Sequence, residues 1–154
     1  MSGKNLGLEA KLREDLKDSL RKGDKTRLSV LRMLLSAVNY AQMAKQTPME
    51  DPDVLGVIVK EIKQRQESIE AYTKGQRPDL VSQEQAEMEI LQSYLPKQVG
   101  HDEIVAAARA AIAAAGAKGL QDKGKVMPRL VAELKGKADG KEINAVVTDL
   151  LSGK

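Results

Sequence analysis

The chain has 154 residues, 42% of them apolar and 31% charged, enough to bury a core in one globular domain or two small ones. Zero cysteines exclude disulfides, thiolate nucleophiles and cysteine zinc sites, and the one histidine cannot build a histidine metal site or a catalytic triad without a nucleophile partner. The net charge of +3 is uneven: residues 1–95 hold 15 Lys and Arg against 15 Asp and Glu, residues 96–154 hold 10 against 7. That basic excess suits either a solvated face or an anionic partner.

With three aromatics in the chain, Tyr40, Tyr72 and Tyr94, the core must be built from Leu, Ile, Val, Met and Ala, which predicts helices and makes a β-sandwich improbable. Leu8, Leu12, Leu16 and Leu20 recur every four residues as a first helix, which Gly23 ends. Asp24 then caps a second helix carrying Leu28, Leu31, Leu34, Leu35 and Val38 to about Gln46, and the two are expected to pair as a hairpin. After the loop TPMEDPD, Asp51 and Pro52 start a third helix of about 22 residues, in which the acidic cluster reads as a cap more readily than as a metal site. Leu55, Ile58, Ile62, Ile69 and Tyr72 mark its inner face, and Arg65 stands where another apolar residue belongs. That arginine snorkels, pairs with a carboxylate of a neighbouring helix, or awaits a phosphate. Leu80, Val81, Met88, Leu91 and Leu95 form a fourth helix, stopped by Pro96.

A second unit begins near Gly100. Ile104, Ala108 and Ile112 define a fifth helix closed by Gly116, with His101 an exposed residue at its start. Val126, Met127, Leu130, Val131 and Leu134 define a sixth, in which Pro128 predicts a kink or a later start. Asp139 and Glu142 have capping-box spacing ahead of a seventh, with Ile143, Val146, Val147, Leu150 and Leu151. The expected fold is all-α: a four-helix bundle-like unit over residues 1–95 and a small three-helix unit over 96–154. Three short helices make a marginal core.

No apolar signal core occurs in MSGKNLGLEAKL, and the longest low-polarity stretch, Ile104 to Ala117, is interrupted by Arg109, so a cytoplasmic protein is expected.

Three segments go beyond periodicity: DKTRLSVLRMLLSA; KEIKQRQESIEAY with GQRPDL and SYLPKQV; and GKVM with KGKADG and INAVV. In order and spacing over nearly the whole chain they resemble the GatB/YqeY family, of the free-standing kind, although Pro128 lies earlier in its helix than that pattern leads one to expect. The resemblance implies a helical bundle followed by a three-helix unit. It also implies tRNA contact, as made by the GatB tail of the glutamine-dependent aspartyl/glutamyl-tRNA amidotransferase. Any label of carbon–nitrogen ligase with glutamine as amido donor reaches this chain by kinship, because the ammonia-releasing and ATP-using sites belong to other subunits or domains. No catalytic residue, metal ligand or cofactor site is assigned; the chain has no phosphate-binding glycine loop and no serine with a basic partner at recognisable spacing.

The corner KGKADGKE has two readings. In one, lysines keep a turn soluble. In the other, Lys135, Lys137 and Lys141, with Lys123, Lys125 and Arg129, form one basic surface where the amides of Gly140 and Lys141 also favour an anion. The partner is then folded RNA, read through phosphates and shape, because no surface aromatic is expected to stack unpaired bases. Lys60, Lys63, Arg65 and Arg77 make a second basic group, in which Glu61, Glu67 and Glu70 favour an ion-paired surface. The alternative function is a helical protein adaptor without RNA binding, docking through the fifth helix, where Ala106, Ala107, Ala110, Ala111, Ala113, Ala114 and Ala115 permit close approach. A companion amidotransferase is a further candidate partner.

Overall fold

Helix α1, Leu8–Lys22, stops because Gly23 takes a left-handed φ of 71°, and α2, Lys25–Lys45, starts because the Asp24 carboxylate accepts the amide of Arg27 at 3.1 Å. These boundaries come from a computed structural model, which describes residues 7–153, so the MSGKNL stretch considered for a leader lies outside the described residues. Two further helices, α3 (Asp51–Lys74) and α4 (Pro78–Gln92), complete a first compact unit, Met1–Leu95. The second unit, Pro96–Lys154, holds α5 (His101–Ala115), a single 3-10 turn (Leu120–Asp122), α6 (Lys123–Glu133) and α7 (Gly140–Leu151). Among the described residues all regular structure is helical, and the fold is all-α.

In the first unit α1 packs along α2 and α3 along α4, around Leu12, Leu31, Leu34, Val38, Ile58 and Leu91. Leu20 is not part of this core and is 61% exposed; Ser19 is buried instead. A four-residue spacing advances about 40° per step on a helix of 3.6 residues per turn, so three steps carry Leu20 off the face of Leu8. Ser19, seven residues after Leu12, stays within about 20° of it, and its hydroxyl bonds the carbonyl of Asp15 at 2.9 Å.

Helix α3 is capped one residue earlier than expected. Glu50 is the N-cap, and its amide donates to Asp53 at 2.9 Å, while Asp51 accepts the amide of Leu8 at 2.8 Å. The acidic cluster thus serves the first turns of two helices. Val54 takes the innermost place and Leu55 is half-buried. Arg65 is 8% exposed, with Nε 3.7 Å from Glu84 and 3.6 Å from Glu87, both on α4.

Helix α4 ends at Gln92, three residues short of Leu95, because tight turns close Tyr94 onto Leu91 and Leu95 onto Gln92. This swings Tyr94 inward. Its hydroxyl donates to Asp15 at 2.6 Å and accepts from Arg27 at 2.8 Å, linking the end of the unit to α1 and α2. Burial, and then the Asp15 carboxylate, push the Tyr94 phenol well above its usual value. For Asp15, burial pushes the carboxyl up, but the Tyr94 hydroxyl with Lys11 and Arg27 outweighs it and holds the group below the usual range.

The second unit packs Ile104, Ala108, Val126, Leu130, Ile143 and Val147 from its three helices. Helix α6 runs from Lys123 straight through Pro128 rather than starting later. The carbonyl that loses its donor belongs to Gly124, which is exposed and so open to solvent.

Candidate nucleic-acid interface

The basic residues of the second unit are positioned by the two ends of α6 and the start of α7. At the first end, Asp122 accepts the amide of Lys118 at 2.9 Å and lies 3.4 Å from Nζ of Lys125. The Lys118 amide is the main reason the Asp122 carboxyl sits below the usual range. Lys125 is therefore already ion-paired, whereas half-buried Lys123 has no carboxylate within 4.0 Å among the described residues. Arg129, exposed, stands one turn beyond Lys125.

At the other end the chain leaves α6 through a left-handed Gly136, φ 76°, and the amides of Lys137 and Ala138 both close onto the carbonyl of Leu134. The linker of the same unit holds this corner. Gln98 donates its side-chain amide to the Gly136 carbonyl at 2.6 Å, and the amide of Val99 donates to the Lys137 carbonyl at 3.0 Å. With its backbone engaged and Gly136 buried, the corner presents Lys135 and Lys137 as exposed side chains. The role of Gln98 escaped sequence reasoning, because a side-chain bond across 38 residues leaves no periodic trace.

Asp139 caps α7 by accepting the amide of Lys141 at 3.0 Å. The expected capping box is absent here: Glu142 instead approaches Nδ1 of His101 at 3.6 Å. The Lys141 amide, expected to face an anion, thus already has a carboxylate on it, so any anion at this corner is held by side chains and by what the Gly140 end of the helix contributes. Exposed Lys141 joins Lys135 and Lys137, and none of the three has a carboxylate within 4.0 Å among the described residues.

Lys123, Lys125 and Arg129 lie along α6, and Lys135, Lys137 and Lys141 lie at the corner beyond it. The eleven residues of α6, Lys123–Glu133, rise about 16 Å at ~1.5 Å per residue, so the basic side chains are spread along this length. In the second basic group, where sequence favoured ion pairing, Arg65 and Arg77 are paired, though with other acids than expected: Arg65 is buried against Glu84 and Glu87, and Arg77 pairs with Asp79 at 3.1 Å. Tyr40 corrects a further expectation, being 78% exposed on α2 although no surface aromatic was foreseen.

The hydroxyls of Ser19, Ser93 and Ser152 donate to carbonyls of their own helices at 2.6 to 3.1 Å. No group of three or more His, Asp and Glu gathers as metal ligands among the described residues, and none of the described helices is long and apolar enough to cross a membrane.

The sequence matches the family described as Yqey-like protein over residues 9–151. It is 29% identical to altered inheritance of mitochondria protein 41 of Pyrenophora tritici-repentis over 147 residues, which is 94% of this chain and 81% of that protein. It is 34% identical to an uncharacterized protein of Schizosaccharomyces pombe over 94 residues, 61% of this chain and 76% of that protein. The protein 41 of Eremothecium gossypii is 32% identical over 56% of this chain, and the matched region spans 48% of that relative. The names of the first and third of these relatives carry the word mitochondrial, which overturns the cytoplasmic expectation. A cysteine-free composition suits any reducing compartment, and so does not separate the cytosol from the interior of an organelle.

Proposed function

Because this chain belongs to the YqeY-like protein family, we propose that it is an accessory protein that holds folded tRNA through its phosphates, with the amide-forming chemistry on a companion amidotransferase. The observation that carries this reading is that Lys123, Arg129, Lys135, Lys137 and Lys141 have no carboxylate within 4.0 Å among the described residues. A phosphate backbone suits cations spread along about 16 Å of helix better than a small anion does, since a duplex presents phosphates continuously over that length. Lysines on a fixed corner give affinity and orientation with little sequence preference.

The test is binding of total tRNA to the full chain and to Lys135→Ala/Lys137→Ala/Lys141→Ala, with helicity checked by circular dichroism. If about four phosphates are neutralised, raising salt from about 50 to about 200 mM weakens wild-type binding about a hundredfold. The triple variant flattens that salt slope by close to three contacts. A salt-independent wild type, or a variant that binds as wild type does, removes the proposal.

A second reading is favoured by one observation: Ala106, Ala110, Ala113 and Ala114 of α5 are all exposed, leaving a smooth helix face. If that face docks a protein, Ala110→Arg abolishes assembly with the partner and leaves tRNA binding intact.

A further inference from the structure

Helix α2 buries one apolar face and carries a second, mixed stripe on its outside. Val30, Leu31, Leu34, Leu35 and Val38 fill the core of the first unit. On the outside, Thr26, Ser29, Met33, Ser36, Tyr40 and Met43 are all exposed and follow one another at spacings of three and four residues. That alternation places them on a single stripe with the period of a helix-to-helix seam. Tyr40 and Met43 are well out in solvent, 78% and 75% exposed, whereas Met33 is 48% exposed and its sulfur accepts from the Arg65 guanidinium at 3.9 Å. Tyrosine, methionine and arginine are the residues enriched where proteins meet.

The charges beside the stripe indicate what lies on it. The α2 sequence contains no Asp or Glu. Lys25 and Arg32 flank the stripe one heptad apart on the same side, and neither has a carboxylate within 4.0 Å among the described residues. In contrast, α1 ties Lys11, Arg13 and Lys22 to acids one turn away on the same helix. Two cations over five turns are sparse for a phosphate-binding face, and a six-position seam exceeds what stacking one base on Tyr40 needs. A second copy of α2 is a poor fit as well, because it brings no carboxylate to Arg32 or Lys25 and sets cation near cation when antiparallel.

We infer that the outer stripe of α2 docks an amphipathic helix of another protein, about five turns long. That helix sets bulky apolar residues over Ser29 and Ser36 and carboxylates opposite Arg32 and Lys25. The small serines between Met33 and Tyr40 are holes, and the large side chains are knobs. The site belongs to the first unit and is independent of the lysine corner, so it goes beyond the RNA reading and survives that reading's failure.

The experiment uses two labelled 20-residue helical peptides with the same leucine seam, one flanked by Glu and the other by Lys, titrated with the full chain in fluorescence anisotropy. The acidic peptide is expected to bind at least about tenfold tighter than the basic one. Tyr40→Ser/Met43→Ser, which alters only exposed side chains, is expected to weaken it by at least about tenfold with unchanged helicity. Arg32→Glu is expected to remove or invert the preference between peptides. Failure of the acidic peptide to bind, or equal binding of the two peptides untouched by Tyr40→Ser/Met43→Ser, overturns the inference. Light scattering that reveals a dimer lost in that double variant assigns the stripe to a second copy and overturns it too. So does loss of tRNA binding in the double variant, which assigns the stripe to RNA.

Discussion

Replacing Arg65 alone and replacing it together with its partners should have opposite consequences. The arginine side chain is 10% exposed, and Glu84 and Glu87 are 17% and 12% exposed. Arg65→Met therefore leaves two carboxylates facing each other in a poorly hydrated layer between α3 and α4. Breaking a buried ion pair from one side costs about 3–5 kcal/mol. The lower end applies here, about 3 kcal/mol, because Nε stands 3.6 to 3.7 Å from its partners and makes no hydrogen bond. Arg65→Met/Glu84→Leu/Glu87→Leu removes all three charges and fills the layer with apolar atoms, so it is expected to lie between wild-type stability and about 2 kcal/mol above it. Urea titration followed by tyrosine fluorescence is the suitable assay, since Tyr40, Tyr72 and Tyr94 all lie in the first unit and report its unfolding alone. A single variant within about 1 kcal/mol of wild type, or a triple variant as unstable as the single one, would show that the ion pair is not what holds this layer.

Acid should weaken the first unit through Asp15. Its folded carboxyl titrates below its unfolded value, so the stabilisation is present above the ordinary carboxylate range and disappears as pH falls through the folded value. Tyr94→Phe removes a bond at 2.6 Å and another at 2.8 Å, and is expected to cost about 1–2 kcal/mol and to flatten the dependence of the urea midpoint between about pH 6 and pH 3. A variant with the wild-type slope would exclude the hydroxyl as the cause. Gly116→Ala, at φ 65° with open space around the added carbon, should cost about 1 kcal/mol in the second unit from backbone strain alone. Far-UV circular dichroism during melting measures it, and an unchanged midpoint contradicts the assignment of Gly116 as an obligatory left-handed cap.

Much of the helical order follows from local chemistry alone. Gly23, Asp24, Pro52, Gly116 and Asp139 punctuate the chain through backbone conformation and reach of one to three residues, and those requirements do not depend on what packs against them. The basic excess after residue 95 is likewise a property of composition. Tertiary structure decided matters of reach and angle: Ser19 instead of Leu20 inside, Arg65 between two glutamates of α4, Tyr94 turned onto Asp15, and Lys141's amide already capped. It also set how far the basic residues are spread, because the length of α6 is not known until both of its ends are. Periodicity names a face, but only packing reveals whether that face is covered, and for this reason the outer stripe on α2, which the sequence reading did not single out, emerged only when Met33, Tyr40 and Met43 proved exposed.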